Sequence, residues 1–349
     1  MTLQKPDPAL SDFIAAVQWN CDVADAHHAG NDVLCIYLMK MRDFYRWASE
    51  SPVDAPVDRD RLGDWITEKE NRWDDLESES YIDLPLLGQS YEYFDNTAIN
   101  DVLNPLGYVY SGGLGRRSRP VFYVADLEAI DQAGMHKILI SGKEYARCIA
   151  APPAMSQQGM IYIRRDALRR YLSGMVEEWS WQKHQNALAK VVSHYDFAGN
   201  PSDALEAMVS NEMENLILHE IGEQMAGELI GERWHAMLQT LDNPIQELRA
   251  RAVRDNLADC MISLPAFLAL EDSVSLDFYY ANMTPLRREM FPSFCRAYKR
   301  AVSQEDFSEI SSVVRKGQQH WLKVSQGLVG ISDRQKPDHL QEILEGCAL

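Results

Sequence analysis

The apolar residues of this chain keep a helical period at both ends and lose it in the middle, so any stable fold must cover helix stripes and a sheet face together. Near the N-terminus they recur at Phe13, Ile14, Val17, Cys21 and Ala24, a period that runs on to His28 and stops at Gly30, a residue suited to a left-handed helix end. Asn31 and Asp32 then offer a cap for a second helix over residues 33–48 (VLCIYLMKMRDFYRWA), which is apolar almost all round and is expected in the core. A loop with Pro52 and Pro56 leads to a helical stretch over 61–76. Between about 81 and 165 β-favouring runs take over at 107–110, 120–124, 137–141 and 160–163, separated by turn residues, and AAPPAM at 150–155 breaks any regular element. Helical periods return over 168–186, 201–241, 244–270 and 286–302.

These patterns predict an α+β, mainly α protein, a helical bundle with a small central antiparallel β-sheet. Its parts are an N-terminal helical hairpin over 1–80, a small β-containing region over 81–165, a C-terminal bundle over 166–331 that packs with the N-terminal helices, and a tail over 332–349. With 46% hydrophobic and 25% charged residues in 349, the composition is ordinary for a globular chain. Lys+Arg total 34 against Asp+Glu 52, a net charge of -18, which repels phosphate backbones and argues against nucleic acid as a partner. No run of about 18 apolar residues exists to span a bilayer, and residues 1–10 lack a signal-peptide layout, so a cytoplasmic protein without membrane contacts is expected. Six cysteines without a CxxC pair point to buried, reduced thiols.

The segment carrying most chemical information is NEMENLILHEIGEQMAGE at 211–228, with His-Glu-x-x-Glu at His219, Glu220 and Glu223. At about 100° per residue, Glu212, His219 and Glu223 fall within roughly 40° of one another on one helix face. Apolar residues flank that row on two sides, so it faces other protein and needs partners. In RAVRDNLADC, Arg251, Asp255 and Asp259 recur every four residues, and the tight connection at Asn243 and Pro244 lets the two helices lie antiparallel. His219, Glu223 and Asp255 or Asp259 would then hold one divalent cation with Glu220 as general base, the logic of the HExxH zinc helix with its second histidine replaced. One histidine among carboxylates suits manganese or iron at least as well as zinc.

Two other readings use overlapping residues. A two-metal bundle oxidoreductase, di-iron or di-manganese, would add Glu212 and the Asp25/His28 pair. Alternatively the polar row is an ordinary satisfied cluster, with Arg251 and Asp255 as an i,i+4 bridge and His28 at a helix C-terminus. The loop SGGLGRRSRP at 111–120 places three glycines before Arg116, Arg117 and Arg119, a candidate anion site that would let a non-catalytic protein dock an acidic or phosphorylated partner. GxSxG is absent, and Cys35 and Cys260 lie in apolar runs.

The segments DAHHAGNDVLCIYLMKMRDFYRW from Asp25, LILHEIGEQMAGELIGERW from Leu216 and RAVRDNLADCMISLPAF from Arg251, with AAPPAM between, resemble a family of bacterial proteins of unknown function over most of the chain. The resemblance implies that these segments belong to one architecture, and it transfers no activity. From the residues alone, the expectation is a metal-dependent hydrolase acting on a small molecule or peptide.

Overall fold

The computed structural model describes residues 7–115, 119–157, 159–182, 186–239, 241, 243–304, 306–332 and 337–349. It divides into two compact units, Met1–Glu178 and Trp179–Leu349. No helix among the described residues is long and apolar enough to cross a membrane, and all six cysteines are free.

In the first unit three helices come first: α1 (Ser11–His28), α2 (Leu34–Ala48) and α3 (Arg59–Leu76), the last capped by Asp58, whose carboxylate accepts from two backbone N–H groups. A short hairpin, β1 (Leu84–Leu86) and β2 (Gln89–Tyr91), and helix α4 (Asn96–Leu103) lead into β3 (Tyr108–Leu114), β4 (Pro120–Ala133), β5 (His136–Arg147), β6 (Ala154–Gln157) and β7 (Met160–Arg164), followed by α5 (Arg165–Gln182). The strand order is β3-β4-β5-β7-β6. Pairing is antiparallel except between β5 and β7, which run parallel because the chain passes through edge strand β6 and returns between it and β5.

This sheet corrects the expected helical bundle with a small central antiparallel sheet. It is a curled, mixed half-barrel of five strands, neither small nor central. Two causes are visible. Register shifts along β4 between Val124 and Ala129 bend the long strands. In addition, β6 starts within the AAPPAM stretch that was expected to exclude regular structure. Helix α1 packs on the sheet through Phe13, Val17, Cys21 and Ala24, in a core with Tyr110, Phe122, Val124 and Leu139.

Helix α2 also departs from expectation. Met41 and Phe44 are buried with Trp73 and Ile149, but the N-terminal half stands in solvent, with Leu34 69% and Met39 52% exposed.

The edge strand β3 is closed by side chains of α4. Asn96 Nδ2 donates to Gly112 O (2.8 Å) and its Oδ1 accepts from Gly112 N (2.7 Å). One turn later Asn100 repeats the exchange with Tyr110 O (2.7 Å) and Tyr110 N (2.9 Å). Two amides four residues apart on a helix thus replace a neighbouring strand across residues i and i+2.

The second unit is helical: α6 (Ala187–His194), α7 (Pro201–Ile230), α8 (Arg233–Gln239), α9 (Pro244–Ala258), a π-helical turn (Asp259–Ser263), α10 (Leu264–Ala269), α11 (Ser273–Asn282), α12 (Pro285–Met290), α13 (Pro292–Gln304), α14 (Ser308–Ser332) and α15 (Pro337–Gly346). Its core gathers Trp234, Val253, Leu257, Phe291, Phe294 and Trp321. Contacts of residue 219 with 259 and 223 with 254 show that α7 and α9 run antiparallel.

The clamp on β3 makes a prediction. Asn100→Ala leaves the buried N–H and C=O of Tyr110 unpaired and should cost about 1–3 kcal/mol for each group, measured by urea denaturation. A loss below about 0.5 kcal/mol would mean that water replaces the amide freely.

Candidate functional site

The second unit brings together most of the polar row read from HEIGE. His219 lies on α7, and its Nδ1 is 2.7 Å from Asp259 Oδ1, the first residue of the π-helical turn. Its Nε2 faces Glu223 Oε1 one turn along at 3.5 Å. Arg254 Nη2 donates to Glu223 Oε2 at 2.6 Å. Arg287 of α12 is hydrogen-bonded to the other oxygen of Asp259, to Asn256 Oδ1 (2.9 Å) and to the Tyr279 hydroxyl (2.9 Å).

Close approach makes this geometry. Gly222 sits between His219 and Glu223, and a Cβ there would lie 2.7 Å from Ala258 O, so only glycine lets α7 come this near to α9. The π-helical turn then sets Asp259 beneath the imidazole, a departure from regular helix often found where side chains must be re-aimed.

The electrostatics follow from burial and pairing. Burial disfavours the charged His219 ring, but the Asp259 and Glu223 carboxylates overcome it and raise its pKa well above the ordinary value. Asp259 is held down at about 2: burial opposes its charge, and Arg287 and His219 outweigh that. Glu223 is likewise lowered, by His219 and Arg254 against burial. Asp255 goes the other way, to about 6, through burial and the charge of Glu223, to which it is hydrogen-bonded. The cluster keeps an open side, since the His219 side chain is 28% accessible.

The remaining sequence candidates lie elsewhere. Glu220 is buried on α7, and Arg254 feels its charge. Glu212 is buried two turns before His219 with Asn215 Nδ2 on its carboxyl (3.0 Å), and burial raises it to about 8. Asp25 and His28 belong to the first unit. There Asp25 accepts from Arg119 Nη2 (2.9 Å) and Ile149 N (2.7 Å), and burial raises it to about 7. His28 is lowered by burial and by Arg119. Arg119 is thus tied to a carboxylate, whereas Arg116 and Arg117 lie outside the described residues. Arg251 pairs with Glu247 rather than Asp255. Among the described residues no group of three or more His, Cys, Asp or Glu is arranged to hold a metal ion.

Three members of the cluster were not singled out in the sequence: Arg254, Arg287 and Tyr279. Arg254 carried a weak signal, since a guanidinium beside an acidic row on a buried helix face has to be paired.

Two family descriptions match the chain. The N-terminal domain of a family of unknown function (DUF6866) covers residues 12–164, and the C-terminal domain of the same family covers residues 169–347. No curated protein and no solved structure shows a significant match.

Two predictions follow from the site's geometry. Gly222→Ala should lower stability by about 1–3 kcal/mol, because the crossing helices have to separate. Gly227→Ala, with open space around its Cβ on the same helix, should be neutral or gain up to about 1 kcal/mol. Equal effects in urea denaturation would rule out the close crossing.

The second concerns pH. Folded Glu212 keeps its proton to about 8 against an ordinary 4.5, so between those values the native state holds a proton that the unfolded chain has released. Stability should therefore fall as pH rises through that window. Asp25, raised to about 7, and Asp255, raised to about 6, add to the decline with the same sign, so Glu212→Gln should lessen it most between pH 7 and 8, and an unchanged slope there would show that Glu212 is not the titrating group.

Proposed function

We propose, for a chain that belongs to the family of unknown function DUF6866, that the His219 cluster is the acid–base centre of a hydrolytic enzyme acting on a small molecule or peptide. The observation that carries this reading is the splitting of two touching carboxyls: Glu223 is pushed down and stays ionised, while Asp255 is pushed up to about 6. Neighbouring groups whose environments drive their pKa values apart suit different roles: ionised Glu223 helps to keep His219 protonated, and Asp255 is left to exchange a proton. Asp255 then takes a proton from the attacking water, and protonated His219 gives one to the leaving group. This moves the base from Glu220, expected from the HExxH analogy, to Asp255. Asp259 holds the imidazole in place, and the guanidiniums of Arg254 and Arg287 offset the carboxylate charge.

A second reading, with a divalent cation (zinc, manganese or iron), is supported by one feature. Asp259 on Nδ1 is the outer carboxylate that usually orients a metal-ligating histidine, and it leaves Nε2 towards Glu223, which is hydrogen-bonded in turn to Asp255. Those three groups would be the ligands, with Asp259 in a supporting place.

The test is hydrolysis of p-nitrophenyl acetate, bis-p-nitrophenyl phosphate and a labelled casein, each run across pH 4.5–8. At least one rate should rise through a pKa near 6. Asp255→Asn and His219→Gln should each lower kcat about a hundredfold to ten-thousandfold with the fold intact by circular dichroism. Variants as fast as wild type, or no hydrolysis of any of the three, overturn the proposal. Loss of the rate on dialysis against EDTA, restored by one added equivalent of cation, selects the metal-assisted form.

A further inference from the structure

The first unit contains an open cavity of about 440 Å³ between the C-terminal half of α2, the loop after it and the start of α3. Its wall is apolar on one side, with Leu38 and Met39 of α2, Val57, and Leu62 of α3. Three guanidiniums, Arg42, Arg46 and Arg59, line the rest, against one carboxylate, Glu177 of α5. Glu177 accepts from Arg42 through both oxygens (3.3 and 3.0 Å) and from Arg46 Nη1 (3.2 Å), so it fixes the two forks side by side. Arg46 is further held by Ala55 O. Arg59 is exposed and makes no ion pair among the described residues. The lining therefore carries a formal charge of +2, although the chain carries -18.

Helix geometry extends the apolar wall outward. Cys35, Met39, Arg42 and Arg46 fall within roughly 60° of one another around α2, with Leu38 beside them. From Cys35 to Arg42 the helix rises about 10 Å. On this half of the helix Leu34, Leu38 and Met39 are 69%, 45% and 52% exposed, and Cys35 is exposed. A monomer seldom leaves such a run in water without use. The strip is apolar at one end and arginine-rich at the other.

We propose that this cavity binds an amphiphilic anion: an unbranched alkyl chain lying along Leu34, Leu38 and Met39, with a carboxylate or phosphate head between Arg42, Arg46 and Arg59. Charge selects the occupant. An acidic macromolecule would be repelled by the surrounding surface, whereas a single anionic head meets the local excess of guanidinium, and forks held in place lose little entropy on gripping an oxyanion. The inference is independent of the His219 cluster.

Free acyl anion and membrane lipid present the same chemistry, and the experiment separates them. The full chain is titrated calorimetrically with monomeric decanoate, with decyltrimethylammonium, and with phosphatidylglycerol vesicles in a parallel sedimentation arm. Decanoate should bind with a stoichiometry of one and at least about tenfold more tightly than the cationic amphiphile. Arg59→Glu, at an exposed position, should weaken decanoate at least about tenfold and leave the melting temperature unchanged. Met39→Asp should weaken it as well, while leaving the binding of inorganic phosphate, titrated alone, as in wild type. Equal binding of the two amphiphiles, no saturable binding of decanoate, or affinity unchanged in Arg59→Glu would overturn the proposal. Sedimentation with vesicles and no binding of monomeric decanoate would overturn it too, by assigning the face to a membrane surface.

Discussion

A guanidinium taken out of water has to meet a carboxylate, and both units are organised around that requirement. Arg164 is fully buried at the end of β7. Its Nε donates to Glu144 of β5 at 2.7 Å, and its guanidinium lies over the Tyr123 ring of β4 at 4.2 Å, so one side chain ties three strands. Arg147 reaches from β5 to Asp43 of α2 at 2.8 Å and rests against Phe44 and Trp47. In the second unit Arg254 ties α9 to α7, and Arg287 ties α12 to the π-helical turn. Breaking such a pair strands a charge at a cost of about 3–5 kcal/mol. The apolar pattern sets which face each element buries, and the ion pairs tie the elements to one another across the core.

That division of labour explains what the sequence makes legible. The strand runs at 120–124, 137–141 and 160–163 fall inside observed strands, and the run at 107–110 does so from Tyr108 on, because β-branched and aromatic runs report local preference directly. The parallel pairing of β5 with β7 depends on β6, whose residues Ala154–Gln157 have no alternating apolar pattern and follow two prolines. Curl depends on register shifts in β4, which no residue type signals. The run over 33–48 misleads for another reason: uniform apolarity reads the same for a helix sealed in a core and for one that presents half its length outward.

At the candidate site, the four-residue spacing of His219/Glu223 and Asp255/Asp259 was enough to bring those groups together once the helices ran antiparallel. Spacing could not supply the arginines. Arg287 comes from a helix 28 residues beyond Asp259, and an arginine in an amphipathic stretch looks like a solvated one until the fold closes over it. Glu212 shares the face of His219, but two helical turns carry it to the asparagine pair beside Ser275 of α11, where it stays neutral.

The same arginines decide which proton is mobile. Glu223 has Arg254, and Asp259 has both Arg287 and the His219 ring, so each carboxylate keeps its charge far below neutral pH. Asp255 has no guanidinium ion pair of its own among the described residues and leans on Glu223, so any proton shared within the group resides there near pH 6. In the proposed chemistry Asp255 is therefore the member whose charge state changes, while Arg254 and Arg287 hold the rest of the cluster fixed.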